Sequence, residues 1–476
     1  MNQNQNIVLT CDLDETLVKT DMFFEAIYSL IKSNPIFIFY FPFWILKGLP
    51  HLKQQIFSRV EIDYSILPYN QKVLDFLYIE KSNGRKLVLI TATPQFIADK
   101  VEEHLNLFDE VYGSNDKINL KSHKKADKLV ELYGEKGFDY VGDSLADINV
   151  WSKGRNAYLV AKTKLSQSKI QKSIKITEIL DTNEKIAKSI IKEIRVYQWI
   201  KNILLFIPLI MAHHFTDLGL LTKNIAAFFA FSLIASSVYV INDIFDLDND
   251  RKHRTKKNRP FASGKLRLQY AIILIPILIL LSLLSVFIFL DFNFLLILII
   301  YFVTTTLYSF YLKKVVLLDI LILSILFTLR IFAGGIATQT PLSPWLLGFT
   351  LFLFLSLAFV KRYTELEYVK SEQKSKTTGR GYITSDIPMI QSMGISSGFI
   401  SVLVLVLYFN SEDVKLLYSN PLVLWAVTPI FLYWIINIWF VANRGNMNDD
   451  PVVFAAKDKV SYIVFALIGI ILYFAL

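Results

Sequence analysis

Cysteine is almost absent from the sequence, since Cys11 is the single cysteine among 476 residues. One cysteine excludes an internal disulfide and is typical of a protein from a reducing compartment. The opening residues, MNQNQNIVLT, also lack the basic stretch and the apolar stretch that mark a secretory signal peptide. We therefore expect the first domain to remain in the cytosol. The sequence shows no internal repeat and no low-complexity tract.

Hydrophobic residues are abundant, at 53% of the chain, but they are unevenly distributed. Residues 1–195 have the mixed, charged composition of a soluble segment, and apolar runs alternate with polar loops from about residue 198. Nine of these runs are long enough, or nearly so, to cross a bilayer, which predicts an all-α domain of nine transmembrane helices. The runs cover about residues 199–215, 223–246, 268–290, 293–312, 315–338, 344–366, 388–409, 420–442 and 456–475.

Lysine and arginine are concentrated in alternate loops between these runs. If the first run starts in the cytosol, the loops that return there contain nineteen of these residues, whereas the opposite loops contain only Lys223 and Lys415. The positive-inside rule then places the N-terminal domain and the basic loops on the cytoplasmic side of the inner membrane. This distribution also explains the net charge of +9 without a nucleic-acid partner.

The soluble segment contains three short apolar runs that are each followed by polar residues. NIVLTC precedes DLDETL, RKLVLI precedes TATP, and FDYV precedes GDSLAD, with helical stretches between them. This alternation predicts an α/β domain with a parallel sheet, whose strand ends would bring the polar residues together. Carboxylates, a hydroxyl and a lysine at one site are suited to Mg²⁺-dependent phosphoryl transfer. The residues in question are Asp12, Asp14, Thr91, Asp143 and Asp147, with a lysine from KSHKKADKL.

Residues 1–165, and most clearly 5–165, resemble the haloacid dehalogenase (HAD) superfamily of Rossmann-like phosphatases. DLDET matches the DxDx[TV] signature of that family, and GDSLAD matches its acidic fourth motif. The resemblance implies that Asp12 is the nucleophile, Asp14 the general acid and base, and Thr91 a phosphate ligand, with Lys125, or alternatively Lys121, as the lysine. The implied Mg²⁺ ligands are Asp12, Asp14, Asp143 and Asp147. The alternatives are that these aspartates are only turn and cap residues, or that the domain is inactive.

A small helical cap is expected at about residues 22–80 of this domain. It includes NPIFIFYFPFWILKGLP, in which Pro35, Pro42 and Pro50 argue against a membrane span. This stretch has two interpretations, the core of the cap or a surface that enters the bilayer. Residues 166–195 would form a linker with an amphipathic helix near 183–195.

The segment INDIFDLDND follows an apolar run directly. Asn242, Asp246 and Asp250 are spaced by four residues and would form one stripe on a helix, with Asp243 beside it. Such oxygens could hold Mg²⁺ on a diphosphate, and the following RKHRTKKNRPFASG is rich in cations that bind phosphate. The alternative is an ordinary acidic end of a helix.

Residues 196–476 resemble the UbiA-type intramembrane prenyltransferases, a nine-helix family in which this Asp-rich motif binds Mg²⁺ and the diphosphate of a prenyl donor. At the place of the second Asp-rich motif of the family, the chain has KRYTELEYVK, with Glu365 and Glu367 but no aspartate. Six further motifs in order resemble the decaprenyl-phosphate phosphoribosyltransferase branch. They are VYQWIKN, NDIFDLDNDRKHRTKKNRP, YSFYLKK, FVKRYTEL, RGY and RGNMNDDPVVFAAKDKVS.

The resemblance to this branch implies transfer of 5-phosphoribose from phosphoribosyl diphosphate (PRPP) to a polyprenyl phosphate, after which the fused phosphatase would remove the 5-phosphate. Glu365 would orient ribose or a cation. The Mg²⁺ ligands would be Asn242, Asp243, Asp246 and Asp250, with Asp246 essential for catalysis. The candidate phosphate-binding cations are Lys201, Arg251, Lys257, Lys313, Lys361, Arg362 and Arg444. Each cation, like Tyr308 and Tyr363, has the alternative of serving topology or lipid contact.

Two other functions are compatible with the sequence. An aromatic-acceptor prenyltransferase would consume a prenyl diphosphate, with the phosphatase acting on a separate substrate. A transporter with a soluble regulatory domain would turn over no substrate. A homo-oligomer is compatible with any of the three functions.

Overall fold

The computed structural model describes residues 7–115, 118–161, 163–182, 186–373, 375–377, 380–447 and 450–476. The chain divides into two compact units. The first unit consists of Met1–Ile194 and Tyr239–Ile275, and the second consists of Arg195–Val238 and Pro276–Leu476. The first unit therefore includes a segment from the membrane part of the sequence.

A six-stranded sheet forms the centre of the first unit. Its strand order is β3-β2-β1-β4-β5-β6, and every pair of neighbours is parallel. This confirms the predicted α/β region with a parallel sheet. The strands are β1 (Val8–Cys11), β2 (Leu87–Pro94), β3 (Glu110–Ser114), β4 (Phe138–Gly142), β5 (Ala157–Ala161) and β6 (Glu178–Thr182).

The central strands form where apolar residues are continuous, because a parallel sheet covered on both faces buries both sides of each strand. All four residues of β1 and all five of β4 are buried. The helices of the first unit up to Ile194 are α1 (Met22–Ser33), α2 (Phe41–Leu46), α3 (Leu49–Phe57), α4 (Gln71–Ser82), α5 (Gln95–Leu105), α6 (His123–Tyr133), α7 (Ile148–Lys153), α8 (Lys164–Ser173) and α9 (Ile186–Glu193). The last of these lies within the predicted amphipathic stretch, whose residues 183–185 are outside the described part of the chain.

The chain between β1 and β2 forms an insertion where the cap was expected. It contains α1 to α4 and two 3₁₀ helices, Pro35–Tyr40 and Tyr64–Ile66. Asp21 begins α1 by accepting a hydrogen bond from the backbone of Phe23, as N-cap aspartates do. Pro35 and Pro42 lie in the first turns of the short helices that follow, where a missing N–H is tolerated.

The remaining helices include long apolar ones. They are α10 (Ile207–Met211), α11 (Leu218–Phe245), α12 (Leu247–Lys252), α13 (Gln269–Phe289), α14 (Phe292–Phe310), α15 (Leu318–Thr338), α16 (Pro344–Ser371), α17 (Ile387–Phe409), α18 (Glu412–Leu417), α19 (Val427–Asn443), α20 (Pro451–Ala455) and α21 (Lys459–Ala475). Further 3₁₀ helices are Leu145–Asp147, Val196–Phe206, Lys256–Asn258, Leu312–Lys314, Thr384–Asp386 and Pro421–Ala426.

Seven helices within the described residues are long and apolar enough to cross a membrane, and an eighth is added if a bent pair counts as one span. The bent pair joins Ile186–Glu193 to Val196–Met211 at an angle of 44°. The last predicted span is the shorter helix α21 of 17 residues. The protein is therefore a multi-pass membrane protein, whereas the predicted number of nine spans is not confirmed.

The Asp-rich segment is not one continuous helix. Helix α11 ends at Phe245, and Asp246 is the N-cap residue of the short helix α12. The backbone N–H of Asp246 still donates to the carbonyl of Asn242 at 2.9 Å, and that of Asp250 donates to Asp246 at 2.8 Å. Residues four apart in this segment thus still form helical hydrogen bonds, although the helix is broken between them.

Asp139 on β4 is a buried charge that the fold neutralises. Its carboxylate binds the guanidinium groups of Arg85 and Arg155, the latter at 2.7 Å, and accepts from the backbone N–H of Asn156 at 2.9 Å. Burial alone would raise the pKa of Asp139, but the two arginines outweigh it and lower that pKa. The ionised carboxylate of Asp139 therefore stabilises the fold fully at pH values above the ordinary pKa of an aspartate. This stabilisation is lost as the pH falls through the lowered pKa of Asp139.

We predict that Asp139→Asn destabilises the sheet by about 3 kcal/mol, because the buried guanidinium of Arg85 would lose its fully buried counter-ion and keep only Glu80. Hydrogen–deuterium exchange of the full-length protein should show faster exchange of the β1 and β4 amides. Glu135→Gln is the control, since it removes one partner of the exposed pair with Lys153. Equal protection in both variants would contradict the structural role of Asp139.

Candidate functional sites

Asp12 lies directly after β1, at the carboxyl end of the sheet. Its backbone N–H donates to the carbonyl of Val141 at 3.0 Å, and its Oδ1 accepts from the N–H of Leu13 at 2.8 Å. The ammonium of Lys125, on α6, lies 2.9 Å from the same oxygen. Lys121, the alternative lysine, is exposed. A buried carboxylate beside a buried ammonium is thus formed at the end of β1.

Tyr140 connects this ion pair to the acidic residues after β4. Lys125 Nζ donates to Tyr140 Oη at 2.9 Å, and that hydroxyl donates to Asp147 Oδ1 at 2.8 Å. Tyr140 was not among the residues predicted from the sequence. A hydroxyl in the buried strand that leads into GDSLAD was the signal that could have found it.

A group of carboxylates suitable for a metal ion lies at the same strand ends. Ligand oxygens of Asp12, Asp143 and Asp147 are all within 4.8 Å of one another. The other oxygen of Asp147 accepts from the backbone N–H groups of Asp143 and Ser144, which fixes its direction. Three hard oxygen donors at this spacing fit Mg²⁺, which binds few protein carboxylates and keeps several waters.

Asp14 is held apart from that group by two threonines after β2. Its Oδ2 accepts from Thr91 Oγ1 at 3.2 Å and from Thr93 Oγ1 at 2.7 Å, and its Oδ1 accepts from the backbone N–H of Met22 at 2.8 Å. Thr93 was not among the predicted residues, although it belongs to the same TATP motif. These hydrogen bonds orient the second carboxylate of DLDET.

The electrostatics of this site are dominated by burial. Burial, opposed by Lys125 and reinforced by Asp147 and Asp14, raises the pKa of Asp12 to about 6. Burial alone would lower the pKa of Lys125, but the charges of Asp12 and Asp147 outweigh it and raise that pKa. The lysine therefore stays cationic beside the candidate nucleophile.

The Asp-rich segment contains a second group of carboxylates. Arg259 Nη1 contacts Asp243 Oδ1 at 2.8 Å and Asp250 Oδ2 at 2.5 Å, so one guanidinium holds two buried carboxylates together. Burial raises the pKa of Asp250 to about 6, against the effect of Arg259. Asn242 and Asp246 are half-buried. The sequence analysis did not single out Arg259 from the other cations in its loop.

Arg251 has a protein partner. It makes a two-pronged ion pair with Glu25 on α1, at 3.1 and 2.5 Å, and both side chains are almost completely buried. Arg251, which was predicted to bind phosphate, thus binds the carboxylate of Glu25 in the first unit. Lys257, from the same loop, is exposed.

In the second unit, two predicted cations share one carboxylate. Lys201 and Lys361 both contact Asp450 Oδ2, Lys361 at 3.6 Å. Asp450 also accepts from the backbone N–H groups of Val452 and Val453, at the start of α20. Burial opposes the ionisation of Asp450, but the two lysines outweigh it and lower its pKa. Asp450 is a further residue that the sequence analysis missed.

A second polar cluster of this unit surrounds Arg362 and Glu365. Arg362 is fully buried and lies 2.8 Å from Asp319 Oδ2, and it also contacts Glu365. Arg380 contacts the same oxygen of Glu365. Of the other predicted residues, Lys313 and Tyr308 are half-buried, Arg444 is exposed, and the buried Tyr363 donates to Asn443 at 2.8 Å.

The membrane part of the chain matches a family model. The model, described as the UbiA prenyltransferase family, matches residues 203–457, which is more than half of the chain. The chain belongs to the UbiA prenyltransferase family. It is a UbiA-type transferase with an α/β domain in front.

Individual relatives match either almost the whole chain or about three fifths of it. An uncharacterized protein of Sinorhizobium fredii is 35% identical over 469 residues, which are 98% of this chain and 90% of that protein. Decaprenyl-phosphate phosphoribosyltransferase of Mycolicibacterium smegmatis is 31% identical over 302 residues, 61% of this chain and 94% of that protein. A solved UbiA homolog from Archaeoglobus fulgidus bound to GPP and Mg²⁺ is 14% identical, with a TM-score of 0.47, over 60% of this chain and 99% of that one.

The carboxylate group at the sheet predicts where a divalent ion binds. Fe²⁺ that replaces Mg²⁺ at a site reduces added hydrogen peroxide to hydroxyl radicals, with ascorbate to reduce the Fe³⁺ again, and these radicals cut nearby backbone. Cuts should therefore appear near Asp12 and Asp143 and disappear with excess Mg²⁺. Asp143→Asn should suppress these cuts, and Asp99→Asn, on the exposed side of α5, should not. Unchanged cuts in Asp143→Asn, mapped by mass spectrometry, would contradict the assignment of this ligand.

Proposed function

We propose that the protein is a bifunctional enzyme of lipid-linked pentose synthesis in the inner membrane. The UbiA part transfers 5-phosphoribose from PRPP to a polyprenyl phosphate, and the α/β domain removes the 5-phosphate to leave polyprenylphosphoryl ribose. The observation that carries the first reaction is the similarity to the mycobacterial protein along 94% of its length. The charge distribution of the loops supports active sites on the cytoplasmic side.

The transfer breaks the bond between C1 of ribose and the diphosphate and forms a bond from C1 to an oxygen of the lipid phosphate. Diphosphate leaves, so the site has to neutralise its negative charge. Asn242, Asp243, Asp246 and Asp250 would hold Mg²⁺, which supplies that neutralisation when bound. Arg259 keeps Asp243 and Asp250 turned towards one point.

The lipid phosphate is already an anion at neutral pH, so the acceptor needs no strong base. Cations are needed instead, and Lys201 and Lys361 supply them around Asp450 in the second unit. Lys313, Lys257 and Arg444 are further candidates. Lys201 and Lys361 share the single carboxylate of Asp450, which leaves one positive charge for a phosphate. Arg251 and Arg362 each have at least one carboxylate partner of their own, and we assign them structural roles.

The environment of Glu365 favours PRPP over a prenyl diphosphate as the donor. This residue stands where the second Asp-rich motif of the UbiA family would hold metal. Its Oε2 contacts both Arg362 and Arg380, so its charge is balanced by arginines. That pairing supports a site with one metal-binding motif, in line with the departure of KRYTELEYVK from the usual pattern.

The α/β domain has the groups needed for the second reaction. Asp12 would attack the phosphorus of the 5-phosphate, while Asp14 protonates the departing ribose oxygen. Water, deprotonated by Asp14, then releases phosphate from Asp12. Lys125 and Thr91 would bind phosphate oxygens, and Mg²⁺ on Asp12, Asp143 and Asp147 would offset the charge.

Asp246→Asn tests the transferase site. We expect a loss of glycolipid formation of about a hundredfold or more, because a metal ligand for the leaving group is removed. The assay uses purified protein, labelled PRPP, polyprenyl phosphate and Mg²⁺, with hydrolysis of a small phosphate ester as the second readout. Asp248→Asn, in the same loop, should retain both activities. Normal transfer by Asp246→Asn would refute the role of this aspartate.

Asp12→Asn tests whether the two reactions are consecutive. The variant keeps the shape of the nucleophile but cannot form the acyl phosphate, so the lipid product should be one phosphate heavier than that of the wild type. Asp99→Asn should give the wild-type product. Identical lipid masses for wild type and Asp12→Asn would mean that the phosphatase serves another substrate.

A further inference from the structure

The insertion between β1 and β2 exposes a continuous group of large apolar side chains. Residues 35–46 fold around Trp44, which is buried against the rings of Phe37 and Phe41, each 5.9 Å away. The side chains between these residues point outward. We call them the apolar insertion surface, and its members are Ile36, Ile38, Phe39, Phe43, Ile45 and Leu46.

Their exposure is unusual for a soluble domain. The side chains of Phe39 and Leu46 are 75% and 85% exposed, and the other members of the apolar insertion surface are also exposed. Contiguous apolar patches of this kind mark contact with a protein or with a membrane. The segment is too short and too rich in proline to cross a bilayer.

The position of this surface in the chain favours a membrane over a protein as its partner. Helix α1 leads directly into it, and α1 is fastened to the loop between two membrane-spanning helices of the chain. Tyr28 Oη donates to the carbonyl of Leu268, the residue before α13, at 3.0 Å. Lys32 Nζ lies 2.6 Å from Asp248, which closely follows the end of α11. Because Pro35 is three residues from Lys32, the surface begins within roughly 10 Å of the backbone of a residue whose side chain contacts that loop.

The charges around the surface are basic. Residues 26–60 contain Lys32, which pairs with Asp248, and also Lys47, Lys53 and Arg59, with no aspartate or glutamate among them. Lys47 and Arg59 are exposed, and the guanidinium of Arg59 lies 5.3 Å from the ring centroid of Trp44. Aromatic side chains with a basic surround are typical of segments that lie in the headgroup region of an anionic bilayer.

We propose that the apolar insertion surface is seated in the lipid headgroup region and holds the Asp12 site at the membrane surface. The partner is the anionic bilayer itself. The consequence for activity rests on the proposed function: a phosphate carried by a lipid headgroup would reach Asp12 without leaving the membrane. The seating depends only on the surface and its attachment through α1.

Depth in the bilayer is measured with a fluorophore on Phe39→Cys in the full-length protein, placed in nanodiscs of phosphatidylcholine and phosphatidylglycerol. The fluorophore should not react with Cys11, the single native cysteine, because its thiol is buried. Lipids with a spin label near the headgroup end of the acyl chain should quench this probe by about twofold or more. Leu165→Cys is the matched control, because Leu165 is 76% exposed on α8, and it should not be quenched.

Equal quenching at the two positions would overturn the proposal. So would an unquenched probe at position 39 that instead shows energy transfer between two copies, since the surface would then be a contact between chains. Either result is obtained without any assay of phosphatase activity.

The functional consequence is tested with Phe39→Asp/Phe43→Asp. Hydrolysis of the phosphorylated glycolipid in vesicles should fall by about tenfold, because the effective concentration of a tethered substrate is lost. Hydrolysis of a small soluble phosphate ester should not change, and Leu165→Asp should change neither. An equal fall for both substrates would overturn the proposed consequence. If the wild type hydrolyses neither, the proposed function fails, while the quenching result still decides the seating.

Discussion

The buried ion pair between Arg251 and Glu25 fastens the loop between two membrane-spanning helices to the N-terminal α/β region. Both side chains are almost fully buried, so neither charge can be solvated if its partner is removed. The hydroxyl of Thr20 donates to the same carboxylate at 2.6 Å, and Arg251 donates to the carbonyl of Ala262 at 3.3 Å. The Asp-rich segment therefore folds as part of the first unit and not as an independent loop.

Further contacts attach the same loop to the chain next to Asp14, a residue of the proposed phosphatase site. Gly264 has a φ of +68°, and a Cβ there would lie 2.5 Å from the Cβ of Lys19, so only glycine permits the approach. Arg267 lies 3.2 Å from Glu15, which follows Asp14 in the chain. The Asp-rich segment proposed for the transfer and the residues proposed for the dephosphorylation thus belong to one folded unit, which gives the fusion a structural basis, whereas Lys201, Lys361 and Glu365 belong to the second unit.

Local patterns predicted the parallel sheet and the positions of Asp12, Asp143 and Asp147, because each motif directly follows a buried strand. They did not predict Tyr140, Arg259 or Asp450, whose roles come from partners on other elements. The predicted continuous helix is interrupted at Asp246. Residues four apart still form helical hydrogen bonds across this break, so the four-residue spacing in the sequence gives no sign of it. The grouping of Tyr239–Ile275 with the N-terminal α/β region depends on ion pairs between residues that are far apart in the sequence, and local sequence patterns do not reveal such pairs.

The central claim is that one chain forms the phosphorylated glycolipid and then dephosphorylates it. The most direct measurement is a time course with PRPP labelled with ³²P at the 5-phosphate, polyprenyl phosphate, Mg²⁺ and the purified wild-type protein. The label should enter the lipid fraction first and then appear as inorganic phosphate, leaving an unlabelled pentosyl lipid. Label that stays in the lipid would contradict the second reaction, and label that never enters it would contradict the first.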